Sequence, residues 1–284
     1  MSGEHPVHQA LHRKRSTTPC RRTTPPPPTS PTCCARPTPA SASSWTHCGL
    51  TTDGQPVCVD LDTEPHVLVC AATGGGTTTL LRTLTTQLLH HGAHALVLDL
   101  KRISHSWARG VPGVTYCRDI AEIHDGLVAL RAELHSRLDH VDQHGDADDL
   151  PRLTVVFEVA DHTLHQLARH WDAVREKGDP KTSPAIHALE RLLFAGLQVR
   201  MHVFFNGQLS NTPEWRERFS TVVLGRVTTR TWERLAPQAT PTTEGNTHPG
   251  RVHVVQGLTA HPTQVLLLTD AEAAASVPAN AEES

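Results

Sequence analysis

The stretch that decides the fold reads His66-Val-Leu-Val-Cys-Ala-Ala-Thr-Gly-Gly-Gly-Thr-Thr-Thr-Leu80. An apolar run, which predicts a strand, enters a glycine-rich turn at residues 74–76 and continues as an amphipathic helix. Backbone N–H groups of such a turn, together with the N-terminus of the helix that follows, converge on phosphate groups. The order of strand, glycine turn and helix therefore predicts a phosphate-binding loop (P-loop), although a purely structural glycine turn would have the same composition.

The loop matches the P-loop pattern GxxxxGK[ST] only in part. Ala71 stands at the first glycine and Gly76 at the second. Thr77 stands at the lysine, and Thr78 at the hydroxyl residue that contacts magnesium. The candidate nucleotide-binding residues are Ala72, Thr73, Gly74, Gly75, Gly76, Thr77, Thr78 and Thr79.

Three later strand ends carry polar side chains that suit such a site. Val97-Leu-Asp-Leu-Lys-Arg102 ends a strand with an acid and a base. Leu153-Thr-Val-Val-Phe-Glu158 is an apolar strand that ends in a carboxylate, the form of a Walker B strand. Val203-Phe-Phe-Asn-Gly-Gln208 ends a strand with amides, at the place of a γ-phosphate sensor. In this order the segments predict an α/β, RecA-like P-loop NTPase with a mainly parallel sheet flanked by helices.

The rest of the chain from residue 49 alternates β-branched or Leu-rich runs with helical stretches, which supports the same fold. The predicted strands are Pro56–Leu61, His66–Ala71, His94–Leu100, Leu153–Val159, Val199–Asn206, Ser220–Leu224, Arg251–Gln256 and Gln264–Leu268. The predicted helices are Thr77–His91, Asp119–His140, His162–Lys177, Pro184–Gly196 and Pro213–Arg218.

Composition divides the chain into three parts. Residues 1–46 hold nine prolines and six Lys or Arg against one acid, with few aliphatic side chains, so they are predicted to form a disordered tail. Residues 47–270 are predicted to form the nucleotide-binding domain. Residues 271–284 are predicted to be a flexible C-terminal tail.

Overall composition excludes several classes of protein. The net charge of −3 gives no global basic field, and the 4% aromatic content argues against a base-stacking surface for single strands. Seven cysteines without a CxxC pair indicate neither a disulfide framework nor a zinc ribbon. The histidines at 90, 91 and 94 are interpreted as surface residues. Because no apolar run reaches the ~18 residues of a membrane span, the chain is predicted to be cytoplasmic.

These motifs resemble those of the FtsK/SpoIIIE DNA translocases, particularly the actinobacterial branch that includes plasmid-transfer proteins. The resemblance extends from about residue 49 to residue 270. Its motifs are AATGGGTTT (71–79), VLDLK (97–101), VVFEVAD (155–161), FNGQ (205–208) and GRV (225–227). The family has, in turn, a GATGSGKS loop, an IDPK strand end, a Walker B strand with DE, an ATQ sensor and an arginine-bearing strand.

The resemblance implies a homo- or hetero-hexameric ring around double-stranded DNA, with ATP and Mg²⁺ bound between subunits. It implies that Glu158 orients the attacking water, that Gln208 senses the γ-phosphate, and that Arg226 reaches the neighbouring subunit's nucleotide. Thr78 and Glu158 would be the magnesium ligands. Translocases hold DNA by its phosphates, so the basic residues of the 175–184 segment are the candidate DNA contacts. They are Arg175, Lys177 and Lys181.

Two positions depart from the family pattern. Thr77 lacks the charge of the P-loop lysine; this loss is expected to weaken nucleotide binding about tenfold to a hundredfold and to slow hydrolysis by at least ~10²–10³. Phe157 stands in the place of the Walker B aspartate if Glu158 is the catalytic glutamate, so that Glu158 serves twice or Asp161 assists. Compensation by Lys101 or Arg82 reaching the phosphates is a further hypothesis.

The sequence therefore predicts an ATP- and DNA-binding motor domain of the FtsK/SpoIIIE type with impaired hydrolysis. Three alternatives stay open: a non-hydrolysing regulatory or structural subunit of a translocase ring, a decaying paralogue, and an unrelated P-loop transferase. The two altered positions favour the first alternative on chemistry alone. A transferase should have a substrate-binding lid, and the sequence gives no sign of one.

Overall fold

A computed structural model describes residues 44–241 and 248–278. Within these ranges ten strands form one sheet. The strands are β1 Trp45–Thr51, β2 Pro56–Asp60, β3 His66–Cys70, β4 His94–Leu98, β5 Val114–Cys117, β6 Leu153–Phe157, β7 Met201–Asn206, β8 Thr221–Leu224, β9 Arg251–Gln256 and β10 Thr259–Val265. The α-helices there are α1 Thr77–His90, α2 Ile120–His144, α3 Ala160–Val174, α4 Pro184–Ala195, α5 Thr229–Leu235 and α6 Asp270–Ser276. Short 3₁₀ turns cover Ser106–Ala108, Leu197–Val199 and Pro213–Arg218.

The strand order is β2-β1-β10-β9-β8-β3-β7-β6-β4-β5. The six strands from β8 to β5 pair in parallel, and the four from β9 to β2 extend the sheet by antiparallel pairs. Strand β7 lies between β3, which leads into the glycine turn, and β6, which ends before Glu158. The predicted α/β fold with a mainly parallel sheet is confirmed, and the carboxyl ends of its parallel strands share one edge, where ligands of such folds bind.

Helices cover both faces of the parallel strands, which explains why β3, β6 and β7 are buried along almost their whole length and carry apolar side chains at most positions. Helix α1 packs on one face through leucines such as Leu80 and Leu84, which share a buried core with Val67 and Val69 of β3. Helices α2, α3 and α4 cover the opposite face, where their apolar side chains form a second core. The glycine turn is thus held between a buried strand and a buried helix.

The antiparallel part of the sheet differs most from the sequence prediction. Strand β10 was expected at 264–268 but runs over Thr259–Val265, paired with β9 through a turn at Gly257, whose φ is 55°. Because β10 carries polar residues and Pro262, it lacks the apolar pattern by which strands are predicted from sequence. Strands β1 and β5 and helix α5 also escaped prediction. The segment at 213–218 is a 3₁₀ turn rather than an α-helix.

The chain ends bear on two predicted boundaries. Residues 1–43 of the predicted tail lie outside the described residues, and β1 begins at Trp45, two residues before the predicted domain start. The predicted flexible tail from 271 is wrong over its first residues, because Asp270–Ser276 form α6. A capping box of Thr269 and Glu272 starts this helix, and the fully buried Ala273 holds it against the domain.

No helix within residues 44–241 and 248–278 combines the length and the apolar run that crossing a bilayer requires.

Candidate nucleotide-binding site

The glycine turn between β3 and α1 has the backbone of a phosphate-binding loop. Gly74 and Gly76 hold φ values of 79° and 90°, in the left-handed region that glycine adopts without strain. Gly76 is the N-cap of α1 and offers no side chain to the N–H groups of the first helical turn. These N–H groups, at the positive end of the helix dipole, are therefore available to an anion.

Ala71, at the first glycine position of the pattern, is accommodated by two glycines. A Cβ built on Gly75 would lie 2.6 Å from the Cβ of Ala71, and one built on Gly225 would lie closer still. Both distances are shorter than any normal contact between carbon atoms. The methyl group of Ala71 therefore occupies space that exists only because positions 75 and 225 are glycine.

Glu158 follows β6 and is the centre of the polar network at this edge of the sheet. Its side chain is buried, and its Oε1 accepts hydrogen bonds from Thr78 Oγ1 at 3.2 Å and from Asn206 Nδ2 at 3.0 Å. Its Oε2 lies 3.2 Å from His105 Nε2. Strands β6 and β7 and helix α1, far apart in sequence, thus meet at a single carboxylate.

The proton on His105 is assigned by its neighbours. The indole Nε1 of Trp107 lies 3.4 Å from His105 Nδ1, and because an indole nitrogen can only donate, Nδ1 is the acceptor. The proton of neutral His105 is then on Nε2, from which it is donated to Glu158. Burial opposes ionisation of Glu158, but the hydrogen bonds from His105 and Asn206 and the charges nearby outweigh it, so the pKa of Glu158 is lowered.

The contact between Glu158 and Thr78 revises the predicted Walker B assignment. Phe157 was expected in the place of the Walker B aspartate, but it is buried on the face of the sheet opposite α1, edge-on to Phe205. Glu158 itself faces the hydroxyl at the magnesium position. The position after it, where a second carboxylate would orient water, is held by Val159, with a left-handed φ of 49°.

Asp161, expected to assist Glu158, is engaged elsewhere. Its carboxylate accepts backbone hydrogen bonds from Gln208 at 2.5 Å and from Ser210 at 2.6 Å, which fixes the loop after β7. The side chain of Gln208, the predicted γ-phosphate sensor, is exposed, whereas its carbonyl accepts from Arg234. The amide that reaches the carboxylate is that of Asn206, whose Nδ2 also lies 3.4 Å from Thr77 Oγ1.

Sequence reasoning missed His105; it placed Asp99 and Asn206 at strand ends that suit the site but gave neither residue a role. The fully buried Asp99 accepts hydrogen bonds from Tyr116 Oη at 2.9 Å and from the backbone N–H groups of Arg102 and His105. It therefore fixes the turn after β4 that carries His105 to Glu158. The available signal was the shared edge: Asp99 and Asn206 both follow or end parallel strands, whose carboxyl ends meet.

Three cations were candidates for contact with the phosphates. The Nζ of Lys101 lies 3.9 Å from Glu158 Oε1, and its side chain is 54% exposed. Arg226 donates from its guanidinium to the carbonyl of Thr73 at 3.2 Å, on its own P-loop. Arg82 instead pairs with Asp270 at the start of α6.

The candidate DNA contacts lie apart from this network. Arg175, Lys177 and Lys181 are exposed on the loop between α3 and α4. Arg175 pairs with Asp172 at 3.1 Å, and Trp171 Nε1 donates to the carbonyl of Pro180 at 2.9 Å, which closes the base of the loop. Because α3 begins directly after Glu158 and Val159, its whole length separates this loop from the carboxylate.

The residues present fit magnesium and a phosphate chain in part. A hydroxyl and a carboxylate side by side, Thr78 and Glu158, are oxygen ligands of the kind Mg²⁺ takes. The region around Gly74 is open, since a Cβ there would meet no atom within 4 Å. The backbone of the loop and the pair of Thr78 and Glu158 therefore fit a phosphate chain with Mg²⁺, whereas Thr77 does not supply the charge of a lysine.

Comparison with known proteins agrees with this geometry. Residues 47–183 match the family model described as Helicase HerA, central domain. A search of curated protein sequences returned no match.

Solved structures share the fold over most of the chain. The pCW3 conjugation coupling protein TcpA, in its monomer form with ATPγS, is 18% identical, with a TM-score of 0.65 over 81% of this chain and 68% of that one. The cytoplasmic domain of the Thermomonospora curvata type VII secretion ATPase EccC is 16% identical, with a TM-score of 0.64 over 82% of this chain. EssC (ATPases 2 and 3) from Geobacillus thermodenitrificans is 18% identical, with a TM-score of 0.63 over 80% of this chain.

The chain spans only 30% and 42% of the EccC and EssC chains. At these identities the likeness shows the fold alone, which is the α/β fold of P-loop NTPases.

Proposed function

We propose that this chain is an ATP- and DNA-binding domain of the FtsK/SpoIIIE motor type in which ATP hydrolysis is impaired. One observation carries the proposal: Glu158 hydrogen-bonds the Thr78 hydroxyl, which aligns Thr77 with the P-loop lysine and Val159 with the residue that orients water. The magnesium side of the site is retained, and the two groups that act most strongly on the transition state are absent.

The residues of the loop have separate tasks in this proposal. The N–H groups of Gly74, Gly76, Thr77 and Thr78, at the N-terminus of α1, hold the phosphates, whereas the N–H of Gly75 donates to the carbonyl of Ala72. Thr78 and Glu158 hold Mg²⁺, which supplies positive charge to the phosphate oxygens when bound. Asn206 and His105 keep the Glu158 carboxylate ionised and turned towards Thr78.

Magnitudes separate binding from hydrolysis. Loss of one charge-assisted hydrogen bond costs about 1.5–3 kcal/mol, which leaves the backbone amides, the helix dipole and magnesium to bind ATP. Hydrolysis also needs a group that positions the attacking water, and such groups contribute about 10²–10⁴-fold. With Val159 at that position and Thr77 at the lysine, turnover falls much further than affinity.

Partners follow from the same proposal. The fold shared with a conjugation coupling protein and with secretion ATPases supports a nucleotide-dependent machine, here a cytoplasmic homo- or hetero-hexamer on double-stranded DNA. The actinobacterial, plasmid-transfer-like branch rests on the motifs quoted above. A non-hydrolysing subunit that regulates or completes a ring of active relatives is the second candidate, and the absence of a carboxylate at Val159 favours it.

The test is to restore both missing groups. Wild-type protein should bind ATPγS and hydrolyse ATP at background rate with or without duplex DNA. The double variant Thr77→Lys/Val159→Glu should turn over at least about 10²-fold faster, with each single variant gaining less. Phosphate release, measured with and without duplex DNA, gives the rate of the wild type and the rate of each variant.

A third substitution provides the control. Adding Glu158→Gln to the double variant should return hydrolysis to background, because the magnesium carboxylate is then neutral. Hydrolysis by the wild type at the rate of the restored variant would contradict impaired catalysis. Failure of the wild type to bind ATPγS would contradict the proposal as a whole.

A further inference from the structure

The P-loop lysine normally places one positive charge on the β- and γ-phosphates, and Thr77 removes it. We infer that Lys101, which follows β4 at the edge of the sheet where Glu158 lies, supplies a positive charge for binding of the terminal phosphate, without replacing the lysine in hydrolysis, and makes the site selective for a nucleoside triphosphate over a diphosphate. The inference rests on the proposed nucleotide-binding function and names the residue that completes the site.

Lys101 approaches the atom around which the site is built. Its ammonium lies 3.9 Å from Glu158 Oε1, and the same oxygen accepts the hydrogen bond from Thr78 at 3.2 Å. The ammonium therefore stands beside Thr78 and Glu158, the residues that would hold Mg²⁺ and, next to it, the terminal phosphate of a triphosphate. A cation in this place acts on the γ-phosphate more than on the rest of the nucleotide.

The ammonium is also free to change partner. A charge-assisted hydrogen bond between ammonium and carboxylate is about 2.7–2.9 Å long. The observed separation is 3.9 Å, and 54% of the Lys101 side chain is exposed. Lys101 is thus attracted to Glu158 but is not locked to it, and a phosphate oxygen nearby can take its place as the partner.

The backbone that carries Lys101 is fixed. The buried carboxylate of Asp99, two residues before Lys101, accepts from the N–H groups of Arg102 at 3.1 Å and of His105 at 2.9 Å, both of which follow Lys101. Because the turn is held by these bonds, only the side chain of Lys101 must be ordered when a phosphate binds. Such preorganisation reduces the entropy cost of the contact.

Three other cations, Arg82, Arg226 and Arg102, are engaged in contacts of their own. Arg82 pairs with Asp270 of α6 and its side chain is only 12% exposed. Arg226 donates to the Thr73 carbonyl at the start of the loop rather than at its magnesium side. Arg102, adjacent to Lys101 and equally charged, donates from Nε to the Arg118 carbonyl at 3.0 Å. Arg102 is therefore a matched control for charge alone.

The experiment measures dissociation constants for ATPγS and ADP, in the presence of Mg²⁺, by titration calorimetry. Lys101→Ala should weaken ATPγS binding about tenfold to a hundredfold and ADP binding by much less, because the lost contact is to the terminal phosphate. Arg102→Ala should leave both constants within about twofold of the wild type. Adding Thr77→Lys to Lys101→Ala should recover most of the lost ATPγS affinity.

The outcomes separate this inference from the proposed function. If the wild type binds ATPγS and Lys101→Ala binds it as tightly as Arg102→Ala, the role of Lys101 is overturned and the proposed function stands. A larger loss in Arg226→Ala than in Lys101→Ala would assign the charge to Arg226 and also overturn it. If the wild type binds neither nucleotide, the role of Lys101 and the proposed function are both overturned.

Discussion

Ala71 and Gly75 show at the scale of single residues how one substitution is matched by another. The family pattern GATGSGKS has glycine at the first position and serine at the fifth, whereas this chain has alanine and then glycine. A Cβ on Gly75 would lie 2.6 Å from the Ala71 Cβ. The GATGSGKS pattern thus has a Cβ at position 75 and none at position 71, and this chain has the reverse.

This pairing predicts strong coupling between the two positions. Gly75→Ser should lower the free energy of unfolding by about 1–3 kcal/mol, because it overpacks the contact. Ala71→Gly in the same chain should recover part of the loss, because the Cβ at position 75 would still lie 2.9 Å from the Ala72 carbonyl oxygen, and Ala71→Gly alone should change stability little. Urea unfolding of the four proteins measures the coupling, and equal stabilities of Gly75→Ser with and without the second change would refute it.

The place of a single residue in the site could be predicted where a short sequence motif defines it. Thr78 and Glu158 are placed by a loop and a strand end, and the structure brings them together. His105 and Asn206 lie 53 and 48 residues from Glu158, and only the sheet order brings them to it. The roles of Phe157 and Val159 also depend on which face of the sheet each side chain takes, which an apolar run does not specify.

At the scale of elements, the loop between α3 and α4 offers a test of DNA binding. Arg175, Lys177 and Lys181 are exposed there. Each lysine or arginine that neutralises a phosphate adds about 0.9 to the slope of log affinity against log salt. Changing all three to alanine should therefore lower the slope by about 2–3 and weaken binding at low salt.

Fluorescence anisotropy with a labelled duplex across a salt series measures this slope. Arg131, exposed on α2, provides the control, because Arg131→Ala removes the same charge from another surface. An unchanged slope in the triple variant, or an equal loss for Arg131→Ala, would show that DNA does not contact this loop.

Elements were predictable where burial alone determines them. The parallel strands β3, β6 and β7 are mostly apolar because helices cover both of their faces. Strand β10 carries polar side chains and a proline and is defined by pairing with β9 and β1. The Ala-rich sequence of helix α6 suggests fraying. The helix is instead held to the domain by the buried Ala273 and by the ion pair between Arg82 and Asp270.

The whole molecule carries histidines that are buried in neutral form. Burial lowers the pKa of His66 from 6.5 to about 4, and it also lowers the pKa values of His202 and His253. His202 Nε2 faces Arg152 at 3.1 Å, which further disfavours a second proton. Below pH 6.5 the unfolded chain therefore binds protons that the folded chain does not. The free energy of unfolding consequently decreases as the pH is lowered.

The expected effect is a loss of stability between pH 7 and pH 5. His66 alone, with a pKa of about 4 against 6.5 when unfolded, accounts for about 2 kcal/mol over this range. Urea midpoints at half-unit pH steps measure the loss. His135→Gln, which changes an exposed histidine of α2, should leave the slope unaltered. A midpoint that stays level or rises towards pH 5 would contradict the neutral assignment.

Val159 has a consequence beyond the chemistry of the site. A β-branched residue in the left-handed region costs about 1–3 kcal/mol, and φ at this position is 49°. The main chain therefore keeps a strained corner between β6 and α3 although valine gains nothing from it. The position is therefore a target for protein engineering, because glycine or asparagine adopts the left-handed region with less strain and would stabilise the corner without any change of fold.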